Sequence, residues 1–273
     1  MAEAASRRTL IDHYYEDVLK PGLKPVLRGL DRAGRATLLL IAIIKVLPRP
    51  RTYLRSALSQ AYIIGIKSLP LVMFIAALGG AVTSQQSGAQ FTGGLPLWVI
   101  GSVLAASVLT ELGPLLTAIV MMARVGASIA AELASMHVTE QIDALRAMGR
   151  DPVAFLVTPR VLAGVLVFPP LVVMADAAGL YAGWLVGQIA VEGLTGDDVI
   201  FGMRFYFRPW ALWFSLIKGA VFGFGVTFIA CLVGLEGGGG AEGVGRTTTN
   251  AVVITTIVLM VLDVMLAPLL KMF

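Results

Sequence analysis

Long apolar stretches alternate with short polar ones along this chain. Five runs, at residues 61–82, 95–123, 161–191, 210–235 and 251–270, are nearly free of charge. Each reaches the roughly 20 residues a helix needs to cross a bilayer, which predicts five transmembrane helices. The first is interrupted by Lys67 and Pro70, and the third contains Pro169-Pro170, where a kink or break is expected. Thr83–Gly94, between the first two runs, is polar but uncharged and reads as a loop. A shorter apolar piece, Thr37–Leu47, is about half a spanning length and holds Lys45. Arg28, Arg32 and Arg35 precede it, and Arg49, Arg51 and Arg55 come after it. That pattern predicts a helix lying in the membrane interface, its lysine reaching back to water, with Pro48 and Pro50 breaking it from the first long run. The chain thus reads as an all-α polytopic membrane protein: a basic segment with an interfacial helix at residues 1–55, then a five-span domain at residues 56–273.

The polar stretch between the second and third runs is patterned as well. Residues 139–148 predict a short helix. Thr139 can cap it, and Glu140, Gln141 and Asp143 place acceptors and negative charge in its first turn. Gly149 supplies a stop, and Pro152 prevents continuation. Ile142, Leu145 and Met148 recur at helical spacing, while Asp143 and Arg146 fall elsewhere on the wheel. About nine residues give a helix of roughly 14 Å, too short to span a bilayer. A short amphipathic helix between two spans is a candidate docking lever.

Composition and charge sharpen this picture. The chain is 57% hydrophobic and only 14% charged, with a mean hydropathy of +0.84, whereas soluble domains carry about 25% charged residues. Eleven of the 21 basic residues precede residue 56 with no base-reading motif beside them, which points to cytosol and anionic headgroups rather than nucleic acid. With that segment cytosolic, five spans put the C-terminus outside. Arg124–Arg160, with four arginines, then falls in the cytosol and Thr83–Gly94 outside, as the positive-inside rule requires; Arg204 and Arg208 fall outside against it. Cys231 alone excludes an internal disulfide, and His13 and His137 offer neither a metal cluster nor a catalytic triad. Gly238–Gly243 satisfies G-x-G-x-x-G, and residues 240–247 nearly match a P-loop. Arg246 stands where that loop needs lysine, however, and a span lies on either side, so a glycine-rich hinge is expected instead.

Four motifs succeed one another in fixed order: E-L-G-P at Glu111–Pro114, R-V-G-A-S-I-A-A-E-L at Arg124–Leu133, T-E-Q-I-D-A-L at Thr139–Leu145 and G-x-D-P at Gly149–Pro152. Together they resemble the MlaE-type permeases, membrane subunits of ABC transporters that work with MCE proteins on lipids. The resemblance runs from about Tyr53 to the C-terminus. It implies a homodimer in the bacterial inner membrane, with a phospholipid held in a cavity between the copies. It implies a pair of cytosolic ABC ATPase subunits, carrying the ATP and magnesium this chain has no site for, docked on Thr139, Glu140, Gln141, Asp143, Leu145 and Met148. An MCE-protein ring outside and a small STAS-type cytosolic subunit complete the implied assembly. The 37–47 helix would be the family's elbow helix, where a partner's transmembrane helix can pack. Relatives carry a similar segment around Arg246, which leaves that arginine to headgroups or to the ATPase. One departure stands out: the family often has arginine directly before E-L-G-P, and this chain has Thr110.

The remaining candidates are charges and small residues inside the spans. Glu111, Asp176, Lys218 and Asp263 are costly there and must pair or face a cavity. Lys218 and Asp263 fall at depths that agree within about one helical turn, so they can form a pair. A proton relay is the alternative role, and with it an ion-coupled secondary carrier; a non-transporting membrane anchor is a third reading. No internal repeat supports the inverted-repeat design of many carriers. The first span turns from apolar to uncharged polar at its outer end, which makes Leu78, Val82, Gln85 and Gln86, with Glu111, candidates to line a lipid cavity. Gly179, Gly183 and Gly187, and Gly219 with Gly223, form faces that let helices approach closely, within the chain or across a dimer. Ala127, Ala130, Ala131 and Ala134 form another before the lever.

Overall fold

A computed structural model of the chain describes residues 20–91 and 95–270, with side chains described from residue 29 to 268. The described residues form nine helices and no strand: α1 (Lys20–Val46), α2 (Pro50–Gly65), α3 (Leu69–Phe91), α4 (Trp98–Val138), α5 (Gln141–Ala147), α6 (Val153–Ala190), α7 (Gly196–Tyr206), α8 (Pro209–Leu235) and α9 (Gly240–Leu270). Residues 1–48 and 49–273 are separate compact units. In the first, α1 holds most of the Thr37–Leu47 run in its C-terminal half and begins well before it. Asp31 and Arg35 pair one turn apart at 2.7 Å on that helix. His13 lies outside the described residues.

In the second unit five helices (α3, α4, α6, α8 and α9) are long and apolar enough to cross a membrane, but their ends differ from those the hydrophobic runs suggest. Lys67 and Pro70 do not interrupt the first span; they separate two helices. Pro70 sits in the first turn of α3, where its missing N–H costs no intrahelical bond. The first span therefore runs over Leu69–Phe91 rather than residues 61–82, and Thr83–Phe91 is helix rather than loop. Its polar side chains are absorbed by the helix itself: the Thr83 hydroxyl donates to the Gly79 carbonyl at 2.8 Å, and the Ser87 hydroxyl to that of Thr83 at 2.7 Å. The second span continues past residue 123 to Val138, so Arg124 is on a helix, as is Arg160 near the start of α6.

Pro169-Pro170 does not break α6, which is continuous through both prolines; neighbouring helices let a membrane helix tolerate such positions. At the C-terminal end, α9 starts at Gly240 rather than at residue 251, so the expected hinge shrinks to Gly237–Gly239. Gly239 and Gly240 have φ of +87° and +72°, a left-handed turn that suits glycine. Arg246 is on the first turns of α9, paired with Glu242 at 2.6 Å.

The small-residue faces pack inside the chain. A Cβ on Gly80 of α3 would stand 1.9 Å from the Gly179 carbonyl oxygen of α6, and one on Gly223 of α8 would stand 2.5 Å from that of Gly164. Ala130 and Ala134 of α4 meet Gly234 and Gly237 in the same way. Close backbone approach of this kind is how apolar helices associate when water supplies no driving force between them. The central helix is α6, packed on α2, α3, α4 and α8, whereas α9 packs mainly on α8 and α4. Exposed apolar stripes remain on α3 (Leu71, Phe74, Leu78, Val82) and on α9 (Val253, Ile257, Val261, Val264). By connectivity α5 and α7 mark opposite ends of the bundle.

Candidate functional site

Three spanning helices converge on one cation. Lys218, on α8, is 0% exposed. Its Nζ lies 2.5 Å from Glu111 Oε2 on α4 and 2.6 Å from Asp263 Oδ1 on α9, and it donates to the Thr110 carbonyl at 3.0 Å. The contact with Asp263 is ionic rather than a well-aligned hydrogen bond. Phe214 and Phe222, one turn to either side of Lys218 on α8, put their rings 5.5 and 5.9 Å from the ammonium, where ring faces attract a cation. So the lysine is fully desolvated but surrounded by acceptors and ring faces. Its carboxylates are not equally dry: the Asp263 side chain is 19% exposed, the Glu111 side chain 44%.

Local chain chemistry explains the convergence. Val108–Leu112 is a π turn inside α4, closed by the Gly113 amide donating to the Val108 carbonyl. Such turns add a residue to the helix and are frequent at functional sites. Pro114 has no N–H to offer the Thr110 carbonyl four residues back, and Lys218 donates to that carbonyl. Gly113 leaves room for Asp176 of α6: a Cβ there would be 1.6 Å from Asp176 Oδ1. Asp176 in turn accepts from the Ser215 hydroxyl of α8 at 2.8 Å. Both Glu111 and Gly113 of E-L-G-P thus meet an ionisable side chain from another helix.

Glu111 and Thr110 also border a cavity of about 390 Å³ together with Thr83, Ala106, Ser107 and Leu112. Of the five residues expected to line a lipid cavity, Glu111 borders this one. Leu78, Val82, Gln85 and Gln86 lie on the exposed face of α3 and do not border it; Thr83 is the α3 residue that does. The Lys218–Asp263 contact joins the two residues whose depths match in the sequence. Nothing in the sequence pairs Glu111 with them, because a residue's partner across the bundle depends on the π turn and leaves no periodic trace.

At the opposite level, α5 is shorter than the expected 139–148. Thr139 does not cap it: its hydroxyl donates back to Ser135, and Glu140, in the N-cap position, adopts the left-handed conformation (φ 57°) with no side-chain cap. Thr139 terminates α4 instead. The C-terminus is a Schellman motif, with the Gly149 amide on the Arg146 carbonyl at 2.9 Å and the Arg150 amide on that of Leu145 at 3.0 Å. Asp151 Oδ1 then accepts from the Val153 amide at the start of α6. The three apolar residues do not share one environment. Ile142 is buried at 2%, Leu145 is half-buried, and Met148 is 66% exposed. Asp143 and Arg146 pair at 2.9 Å on the exposed side with Gln141.

Two further charges make contacts that have no signal in the sequence pattern. Arg160, 3% exposed, reaches from α6 to Glu132 of α4 at 2.8 Å and to the Leu156 carbonyl at 2.8 Å. Arg124 sits on a second π turn of α4, Met122–Gly126, and donates to the Lys67 carbonyl at the break between α2 and α3. Outside the spans, Asp198 in the first turn of α7 has its carboxyl held below the ordinary carboxylate range, first by the Thr195 hydroxyl and then by the Thr195 amide. Among the described residues no group of His, Cys, Asp and Glu is arranged to hold a metal ion.

Five membrane-length helices, three of which meet at a buried lysine and its carboxylates, define a polytopic membrane protein. The chain belongs to the MlaE permease family, whose model, Permease MlaE, matches residues 57–269. It is 37% identical over 238 residues to an ABC transporter permease protein of Rickettsia felis, covering 87% of this chain and 92% of the relative. Over 244 residues it is 34% identical to the chloroplastic protein TRIGALACTOSYLDIACYLGLYCEROL 1 of Arabidopsis thaliana, covering 89% and 68%. It is 29% identical over 245 residues to the intermembrane phospholipid transport system permease protein MlaE of Haemophilus influenzae, covering 89% and 93%.

Proposed function

We propose that this chain is the non-catalytic permease subunit of an ABC transporter that moves phospholipid between a bacterial inner membrane and an MCE-protein partner. The observation that carries the reading is the Lys218–Glu111–Asp263 cluster, desolvated on the lysine side and open to a cavity on the Glu111 side. A headgroup needs fixed charge beside apolar walls, and the apolar stripes of α3 and α9 supply such walls on the same bundle. Two copies facing each other through these stripes would enclose the acyl chains, with Leu78, Val82, Gln85 and Gln86 on the α3 side. The N-terminus and the α5 end are cytosolic, and the C-terminus and the α7 end periplasmic. A pair of ATPase subunits, which hold the ATP and magnesium, docks on α5 through Met148 and the exposed polar face. A small STAS-type subunit binds from the same side, and α1 is the elbow helix.

Thr110 stands where the resembled family often has arginine, so in this protein the cation nearest the cavity is Lys218, which is held behind Glu111 and Thr110. The test is transport of a labelled phospholipid by the reconstituted complex, together with mass spectrometry of lipids that copurify with it. Phospholipid in the purified complex and ATP-dependent transfer support the reading. Transport by this chain alone, driven by a pH gradient, would replace it with an ion-coupled carrier.

A further inference from the structure

A second cavity lies at the α5 end of the bundle, far from the Lys218 cluster along α4. It holds about 270 Å³ between α2, the break before α3 and the lower part of α4. Its walls are of two kinds. Ile63, Ile64 and Val125 make an apolar side, and Lys67 and Arg124 make a cationic one. Neither cation has a carboxylate partner among the described residues. Glu132 also borders the cavity, but its charge is taken by Arg160 at 2.8 Å. Two positive charges therefore face this space without compensation.

The position of the two cations is built rather than incidental. The break at residues 66–68 ends α2 and exposes the Lys67 carbonyl, and the Arg124 guanidinium docks on it. That bond uses one nitrogen of a fork with five donors, and the rest stay available for a second acceptor. The π turn Met122–Gly126 places Arg124 at this break. Depth fixes what could reach it. Arg124 is 26 residues from the start of α4 at Trp98, or about 39 Å along the helix axis, beyond a hydrocarbon core of about 30 Å. The cations thus lie at headgroup level, with the apolar wall beside them. Basic pockets between spanning helices at that level bind lipid headgroups.

We propose that Lys67 and Arg124 form a binding site for a phosphodiester, supplied by the headgroup of a glycerophospholipid in the leaflet on the α5 side. Lys67 and the free edge of Arg124 take the phosphate oxygens by charge-assisted hydrogen bonds, and Ile63, Ile64 and Val125 meet the first carbons of the acyl chains. The site rests on the membrane placement proposed above and not on transport, so it stands or falls separately from the permease reading. A soluble phosphate could satisfy the same cations, and the test separates the two sources.

The experiment is a thermal-shift titration of the full-length chain in neutral detergent. The probes are short-chain phosphatidylglycerol, inorganic phosphate, and the matching diacylglycerol, which lacks the phosphate. Lys67→Gln is the first variant, because the Lys67 side chain is exposed and makes no hydrogen bond or ion pair among the described residues, so its loss leaves the fold intact. Arg124→Gln is the second. Phosphatidylglycerol should stabilise the native chain, and each variant should weaken its apparent affinity by about tenfold, the loss of one charge-assisted contact. Diacylglycerol should act on native chain and variants alike. Equal phosphatidylglycerol affinity in the native chain and Lys67→Gln would overturn the site, and inorganic phosphate reproducing the whole shift would overturn its assignment to lipid. Labelling of Lys67→Cys from one face of sealed vesicles reads the membrane orientation independently.

Discussion

Lys218 serves two carboxylates at once, and this makes the cost of losing either one depend on whether the other remains. Replacing Asp263 by Asn leaves the ammonium with Glu111 at 2.5 Å and the Thr110 carbonyl at 3.0 Å. The loss is then one charged contact, about 1.5–3 kcal/mol at most. Replacing Glu111 by Gln leaves Asp263 at 2.6 Å. Because the Glu111 side chain is 44% exposed, its single loss falls toward the exposed-pair value of at most about 1 kcal/mol. The double variant strands an ammonium that is 0% exposed, and an uncompensated buried charge costs about 3–5 kcal/mol. The double loss should therefore exceed the sum of the singles. For a chain of this size each kcal/mol moves Tm by about 2–4 °C, so Glu111→Gln should fall by at most about 4 °C, Asp263→Asn by about 3–12 °C and the double by about 6–20 °C. Unfolding of the four detergent-purified proteins, followed by tryptophan fluorescence, reads this directly. The same logic predicts that Lys218→Met is worse alone than with Asp263→Leu, since the pair of changes leaves unpaired only Glu111, which reaches the cavity. Additive Tm losses in Glu111→Gln/Asp263→Asn would refute the shared-lysine argument.

Other outcomes rest on the same geometry. Met148→Asp should leave the fold unchanged, because the side chain is 66% exposed, yet uncouple ATP hydrolysis from lipid transfer in the proposed ATPase complex; Ile142→Asp, at a 2% exposed position, should instead lower expression and Tm. Gly113→Ala places a methyl on Asp176 and should cost several degrees of Tm, with Gly113→Ala/Asp176→Ala recovering much of that loss. Asp198 is bonded to Thr195 and its folded pKa is lowered, so its contribution to the α7 cap is present above the unfolded value of about 3.9 and lost as pH falls through the folded one. Amide exchange in the first turn of α7 should accordingly stay slow down to mildly acid pH, and Asp198→Asn should remove that pH dependence; an unchanged profile in the variant would count against the cap.

How much of this is readable in the sequence depends on whether a signal is periodic or local. Five spans, the short helix before Gly149 and the closeness of Lys218 to Asp263 emerge from run length, a stop residue and depth along antiparallel helices. The ends of the spans do not. Thr83, Ser87 and Gln90 read as loop because hydropathy counts them as polar, but a hydroxyl that bonds the carbonyl one turn back hides its own polarity and the helix continues. Gly240–Asn250 misleads in the same direction: glycine density suggests a hinge, yet Thr248 and Thr249 bond back to Val244 and Gly245 within α9. The glycine repeat on α6 is legible as a packing face, and its partner is a small-residue repeat of the same spacing on α3, Ala76, Gly80, Ser84 and Gly88, whose second half is hidden in the polar stretch that reads as loop. Thr139 fails as a cap because α4 outlasts its apolar stretch and takes the hydroxyl for its own last turn.

The π turns leave no periodic trace in the sequence, and they explain why α4 carries so many of the polar contacts. A straight α-helix rotates about 100° per residue, so residues 111 and 124, thirteen apart, would face directions set by that rotation alone. An added residue in a π turn shifts everything beyond it around the axis. The turn at Val108–Leu112 contains Glu111 itself, and the turn at Met122–Gly126 contains Arg124. Both side chains thereby leave the lipid-facing or packed surfaces and meet specific groups, Lys218 in one case and the Lys67 carbonyl in the other. Pro114 gives the first turn a local cause, since it removes an amide that would otherwise close the ordinary helical ring on Thr110. The second turn has no proline, and its cause is tertiary: the α2–α3 break offers the Lys67 carbonyl to Arg124. A proline-to-alanine change at 114 supplies the missing amide and competes with Lys218 for the Thr110 carbonyl. It should therefore loosen the Glu111–Lys218 contact while leaving the Arg124–Lys67 contact untouched, a difference that hydrogen exchange along α4 can resolve.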